Sequence, residues 1–408
     1  MPIYPCLLFW LQTPPTLSPS LPNGHPNLVN ARDRFHFRLV LPALRTPRAS
    51  ARRPHLAYEV PVTDSRWLFG PRIDLGVFAG SALASAALVL LAPALGIGAD
   101  TPLWAWVLLV LGIDVAHVWS TLFRVYLDAD ELRRRPVLYA AAPLLAWAIG
   151  VSAYCVSSGL FWRLFAYAAA WHFVKQQVGW MVLYGRRSHS TPAEILLDQA
   201  AIYAATLGPF VWWHANLPRP FWWFVEGDFI PGLPPWVGTL ALILHFAVLG
   251  LWVAARFRHG LHPGKALLLL ATWVAWFGGI VLARNDFAFT VMNVILHGVP
   301  YFALLYQYAR ARHREGGYGI LGIVLRAGLP GFFGLLIALA FLEEFFWDRM
   351  VWHEHGALFG SGAFPLSEGA LVLLVPLLAL PQATHYLLDG FIWRSREDPN
   401  LAPRLGWA

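Results

Sequence analysis

The sequence predicts an all-α, polytopic integral membrane bundle of about ten transmembrane helices, with both termini in the cytoplasm. Three observations predict it: the charge is too sparse to cover a water-facing surface, apolar runs recur at spanning length, and basic residues fall in alternate connections. Hydrophobic residues make up 58% of the 408 and charged residues only 13%, where a soluble domain carries about 25% charge. Backbone groups inside a bilayer must be satisfied within helices or a closed barrel. The runs lack the strict alternation of barrel strands, so helices follow.

Residues 1–65 are rich in Pro, Ser and Arg and hold no sustained apolar period. That composition predicts a disordered basic tail, to which no function is assigned. Ile3 to Leu11 is apolar but has no basic region before it, so it does not read as a signal peptide. Asp64-Ser-Arg-Trp67 reads as the natural approach to the first helix. The transmembrane domain is expected over 66–396, followed by a short cytoplasmic tail at 397–408.

The apolar runs fall at 74–98, 103–123, 137–157, 161–184, 196–214, 236–255, 265–283, 287–308, 327–346 and 369–393. Each is long enough to cross a hydrocarbon layer of about 30 Å at about 1.5 Å per residue. With the N-terminus inside, 25 of the 30 Lys and Arg lie on inside segments, and only Arg163, Arg219, Arg284 and Arg349 lie outside. This positive-inside pattern predicts a multi-pass protein of the cell membrane, the inner membrane in a bacterium. It also accounts for the net charge of +7 without a nucleic-acid partner. The longest outside connection, with Glu343, Glu344, Asp348, Glu354 and Glu368, reads as a solvated acidic loop. Its His353-Glu354-His355 matches no closed metal motif. Trp104, Trp106, Trp162, Trp212, Trp213, Trp222, Trp223, Trp236 and Trp347 sit at span ends, where an aromatic belt is expected. With only Cys6 and Cys155, a disulfide framework is not expected and a cysteine zinc site is excluded.

Ionisable residues at membrane depth are costly and point to function. Asp114 and His117 lie on the second run, and His172, Lys175, Gln176 and Gln177 on the fourth. His245 lies on the sixth, Asn293, His297 and Tyr301 on the eighth, and Gln382, His385 and Asp389 on the tenth. The five histidines therefore occupy the even-numbered runs. Counted to the first Arg beyond each, they lie 7 to 14 residues deep, a spread of about 10 Å. Four have a polar neighbour three or four residues away, hence on the same helix face: Asp114 for His117, Gln176 for His172, Asn293 for His297 and Asp389 for His385. His245 has none and reads as an interhelical hydrogen-bonding group. Arg124, Asp128 and Arg133–Arg135 read as orienting groups at the inner edge. Lys175 is expected to pair with Asp114 or Asp389, or to snorkel to the surface.

A metal ion requires neutral imidazoles whose orientation is fixed by a second layer of polar groups. The pattern therefore predicts His117, His172, His297 and His385 as ligands, with Asp114, Gln176, Asn293 and Asp389 orienting them around the cofactor. Nitrogen and mixed nitrogen–carboxylate donors suit iron or zinc. Tyr301 and Lys175 are the candidate catalytic polar groups near the substrate. No Walker A loop, dinucleotide-type glycine turn or G-x-S-x-G elbow is present. A two-haem arrangement is disfavoured because each span offers a single histidine.

In architecture and residue type, the stretches Asp114-Val-Ala-His117, Trp171-His172-Phe-Val-Lys-Gln-Gln177, Asn293-Val-Ile-Leu-His297 and Thr384-His385-Tyr-Leu-Leu-Asp389 resemble the Brp/Blh class of carotene-cleaving dioxygenases. That class holds a non-haem iron with histidines from different spans. The resemblance implies an iron-dependent oxygenase acting on a lipophilic substrate, such as an isoprenoid or acyl chain, that enters from the bilayer. The clustered histidine boxes of membrane desaturases are missing. Two other readings fit the same residues. One is a proton-coupled transporter, which would use the His, Asp and Lys groups as a relay and would need a polar path to the outer side. The other is a non-catalytic membrane scaffold.

Overall fold

In the computed structural model, the residues described are 64–408 except 219–226, 284, 363, 365 and 408. The tail expected at 1–65 lies outside them apart from Asp64 and Ser65, as do Arg219, Trp222, Trp223 and Arg284. Helix accounts for 78% and strand for none, which excludes a barrel among the described residues. The long helices are α1 (Pro71–Leu91), α2 (Leu103–Arg124), α3 (Pro136–Val156), α4 (Ser158–Arg187), α5 (Pro192–His214), α6 (Pro235–Arg258), α7 (Pro263–Leu282), α8 (Asp286–Arg314), α9 (Leu329–Trp352) and α10 (Glu368–Ile392).

Nine of these are long and apolar enough to cross a membrane. The exception is α4. It is 30 residues long, but Arg163, Lys175, Gln176, Gln177, Arg186 and Arg187 depress its hydropathy.

Local sequence sets where these helices start. Pro occupies the first turn of α1, α3, α5, α6 and α7, where its missing N–H costs nothing. Thr191 and Glu194 close a capping box on α5, and Asn285 caps α8 by accepting from the Ala288 N–H at 2.8 Å. Ser157 alone separates α3 from α4, and its side chain caps the latter.

The centre of the bundle is α8, which buries 83% of its most apolar window, against 61% for α2 and only 17% for α3 and α6. Around α8 pack α1, α2 and α7, while α10 lies against α2, α3 and α4. The peripheral helices turn apolar side chains outward: Val137, Leu144 and Ile149 on α3, and Ile243, Leu251 and Phe257 on α6. So many exposed large apolar side chains are unusual for a protein surrounded by water.

Interhelical polar contacts fix the packing. Lys265 of α7 meets Asp198 of α5 at 2.7 Å with both side chains buried. His245 behaves as expected: its Nδ1–H donates to the Ala204 carbonyl at 2.7 Å, and its Nε2 accepts from Trp273 Nε1 at 3.1 Å. At the Arg124 end of α2, that guanidinium is fully buried. It meets Glu131 at 2.9 Å on the short helix Ala129–Arg134 and Asp398 at 2.9 Å beyond α10.

Two sequence expectations are corrected. The outer acidic loop is not wholly solvated, because α9 continues through Trp352 and buries Glu343 and Asp348. Glu343 accepts from Trp119 Nε1 at 2.6 Å and from Gln382 Nε2, partners on distant helices that no local spacing reveals. Asp348 accepts the Glu354 and His355 backbone N–H groups at 2.9 and 2.7 Å, closing the turn after α9. In the expected aromatic belt, Trp106, Trp213 and Trp347 are buried instead. Trp106 stacks on His355 at 3.9 Å between centroids, and Trp347 stacks on Trp352 at 5.4 Å.

Candidate metal centre

His117, His172, His297 and His385 converge from α2, α4, α8 and α10. All four are buried, and one ring nitrogen of each lies within 4.8 Å of the others. His297 Nε2 and His117 Nε2 are 3.0 Å apart, and His385 Nε2 and His172 Nε2 are 3.1 Å apart. The ring centroids close the remaining sides, with His117–His385 at 5.0 Å and His172–His297 at 5.2 Å. A tetrahedral ion bound about 2.0–2.1 Å from each nitrogen would separate its ligands by about 3.4 Å. The two close pairs, at 3.0 and 3.1 Å, fall somewhat inside that spacing, and all four nitrogens lie within 4.8 Å of one another. Among the described residues this is the one group of three or more His, Cys, Asp or Glu compact enough to hold a metal ion. His353, Glu354 and His355 form no such group there.

Helix geometry delivers these rings. In α2 the stretch Trp106–Val115 is wound as a π-helix and returns to α-helix at Ala116, immediately before His117; such wide turns are frequent at functional sites. In α8, Pro300 lies three residues after His297 and removes a backbone donor there. In α10 the α-helix is interrupted at Ala379, between Pro376 and Pro381, so His385 sits on the separate segment Leu380–Ile392. Flat neighbours hold two rings in place: Phe173 stacks on His297 at 3.7 Å and 6°, and Tyr386 on His172 at 4.7 Å and 25°.

Close packing of α8 on α2 depends on Gly298, whose added Cβ would lie 2.4 Å from Ile113 Cγ2. Gly298→Ala is expected to lower stability by about 1–3 kcal/mol, the usual cost of overpacking, and to widen the His117–His297 pair. Thermal unfolding in detergent checks this, and an unchanged midpoint would show that the contact tolerates a methyl group.

The polar groups around the histidines form one continuous chain and several separate contacts. Asp389 Oδ1 accepts from the Tyr301 hydroxyl at 2.6 Å and from Trp393 Nε1 at 3.0 Å. Tyr301 Oη lies 3.4 Å from Thr121 Oγ1, which lies 2.8 Å from His385 Nδ1. A carboxylate only accepts, so Tyr301 donates to Asp389, Thr121 donates to Tyr301, and His385 Nδ1–H donates to Thr121. The lone pair of His385 then sits on Nε2, the nitrogen facing His172. Asp389 therefore acts on His385 through two hydroxyls rather than directly.

Asp114 Oδ1 lies 3.9 Å from His117 Nδ1, too far for a hydrogen bond, and that carboxylate oxygen has no other hydrogen-bond partner. Asn293 Nδ2 donates to the Phe289 carbonyl of its own helix at 2.9 Å. Both amide atoms of Gln176 are buried without a hydrogen-bond partner. Lys175 pairs with neither Asp114 nor Asp389. Its Nζ donates to Tyr203 Oη at 3.0 Å and lies over the Trp171 and Tyr203 rings. Thr121, Phe173 and Tyr386 carry roles that the sequence reading did not assign. Thr121 could have been found, since it follows His117 by one helical turn.

A cavity of about 850 Å³ opens between α3, α4 and α10. Its wall includes His172, Gln176, Tyr301, Tyr386 and Asp389 beside many apolar side chains. No protein-family model, curated protein or solved structure matches the chain. Fold and site therefore define, among the described residues, an all-helical protein with nine apolar helices of spanning length and a buried four-histidine cluster that could hold a metal ion.

Proposed function

We propose that the chain is a multi-pass enzyme of the cell membrane that uses a non-haem iron to oxidise a lipophilic substrate. In this reading α4 is the tenth span, both termini are cytoplasmic, and the substrate enters sideways from lipid. The observation that carries it is the convergence of four buried imidazoles from four separate helices beside a mostly apolar cavity. Four neutral nitrogens suit iron or zinc. Iron is the better fit, because a wholly structural zinc needs no substrate-sized cavity against one of its ligands. Iron held there would supply dioxygen activation.

The chain's own groups do the rest. His172 lines the cavity and would stand between it and a bound ion, and the Asp389–Tyr301–Thr121 chain would hold His385 in the ligating tautomer. The apolar wall keeps water from the reacting carbon. Detergent-purified protein is expected to hold close to one iron per chain. Well-folded protein that binds no transition metal would end this reading.

One observation favours a proton-coupled transporter instead. Glu343 is buried beside Gln382 and Trp119. Polar groups thus extend beyond the histidines, as a relay requires. A pH-flux assay in liposomes separates the two readings, since the enzyme moves no coupled protons.

A further inference from the structure

The cavity beside His172 is an elongated groove whose two ends differ. Along α4 its wall runs from Phe161 to Arg186, about 37 Å at the helical rise. The Phe161 end is apolar. At the other end Arg186 of α4 and Arg394, just beyond α10, line it together. Arg186 hydrogen-bonds to Ser395 Oγ at 3.3 Å and meets no carboxylate among the described residues. Arg394 meets Glu397 at 3.4 Å with both side chains about half exposed, so that pair is weak. The Arg124, Arg312 and Arg404 guanidiniums are by contrast occupied by Glu131, Asp398, Asp128 and Glu315.

Between the ends sits Gln176, 8% exposed and with both amide atoms unpartnered, in the wall next to His172. A buried amide without a partner carries an unmet desolvation cost, which a ligand's polar atom would relieve.

We propose that the groove binds a single-chain lipid anion, a long-chain carboxylate, with its headgroup between Arg186 and Arg394 and its chain passing Gln176 and His172. This rests on the reading of the site as an enzyme for a lipophilic substrate and names the substrate class. The volume of about 850 Å³ falls in the range of roughly 300–1,000 Å³ typical of sites for one small ligand. Arg186 lies 14 residues from His172 along α4, so the carbon beside the cluster sits about 20 Å from the headgroup. Short-chain acids cannot span that distance.

The test uses the full chain in phosphatidylcholine nanodiscs and a pyrene-labelled long-chain carboxylate, displaced by unlabelled acids and by the alcohol of equal length. The long-chain acid is expected to compete at least about tenfold better than the alcohol, as a charge-assisted contact to arginine implies. A short-chain acid is expected not to compete. The double variant R186Q/R394Q should lose the preference for acid over alcohol while keeping its metal content. Ala168→Trp, which fills the groove, should weaken both ligands. Equal binding of acid and alcohol, or a preference that survives the double variant, would overturn the proposal. Metal content is read separately. Metal-free protein that still prefers the acid removes only the catalytic reading, and metal-loaded protein without the preference removes only the substrate class.

Discussion

On the proposed reading, replacing His297 with alanine is expected to abolish metal binding by the four-histidine cluster while leaving most of the fold in place. The ring is 1% exposed, its Nε2 meets His117 Nε2 at 3.0 Å, and its face lies on Phe173. Loss of an outer partner around a metal costs about 10–100-fold in affinity, so removing a ligand should cost more than about 100-fold. Metal analysis of purified His297→Ala should then find almost none, and His117→Ala, His172→Ala and His385→Ala should behave alike. His245→Ala is the control. That imidazole is equally buried, but both its nitrogens are spent on Ala204 and Trp273. Its removal should cost about 1–3 kcal/mol through unmet hydrogen bonds and leave the metal untouched. Full metal loading in a folded His297→Ala protein would show that the cluster is not the binding site.

The second large effect is expected at Arg124. Its guanidinium is fully buried and reaches Glu131, Asp398, the Ile392 carbonyl and the Tyr308 hydroxyl. Arg124→Met takes from Glu131 and Asp398 their buried cation and leaves them only the partly exposed Arg134, bonded to Glu131 and 3.7 Å from Asp398. Breaking a buried pair from one side costs about 3–5 kcal/mol, which should appear as a sharp fall in the thermal midpoint in detergent. Arg124→Lys should recover only part, since an ammonium cannot reproduce the planar fork. Removing all three charges together, as Arg124→Met with Glu131→Gln and Asp398→Asn, should restore much of the loss. The exposed Arg66–Asp64 pair, at 2.8 Å, gives the contrast: Arg66→Ala should change nothing measurable. An Arg124→Met protein that melts with the parent would refute the argument.

Local information carried the reading of the sequence as far as it reached. Hydropathy located the long helices, and the polar neighbours one turn away separated His117, His172, His297 and His385 from His245. It failed where partners are distant in the chain. Glu343 read as loop because it is acidic, yet its acceptors are filled by Trp119 and Gln382 from other helices. Asn293 has the right spacing to serve His297, but its amide is taken by the Phe289 carbonyl one turn back. Asp389 has the right spacing to serve His385, but it reaches that ring through Tyr301 of α8 and Thr121 of α2, a link that spacing along α10 alone does not show. The π-wound stretch of α2 breaks the usual angular step between residues, so a helical wheel misplaces Asp114 relative to His117.

The polarity of α4 bears on how such a chain is made. A segment carrying Lys175, Gln176 and Gln177 near its middle would partition poorly into lipid if presented alone to the insertion machinery, where a central lysine costs about 2.5–3.5 kcal/mol. Its predecessor α3 is apolar and joined to it through Ser157 only. During biosynthesis the two would therefore enter as a hairpin, the greasy arm carrying the polar one. On the proposed topology, the most chemically equipped helix would thus owe its place in the bilayer to the weakly buried helix before it.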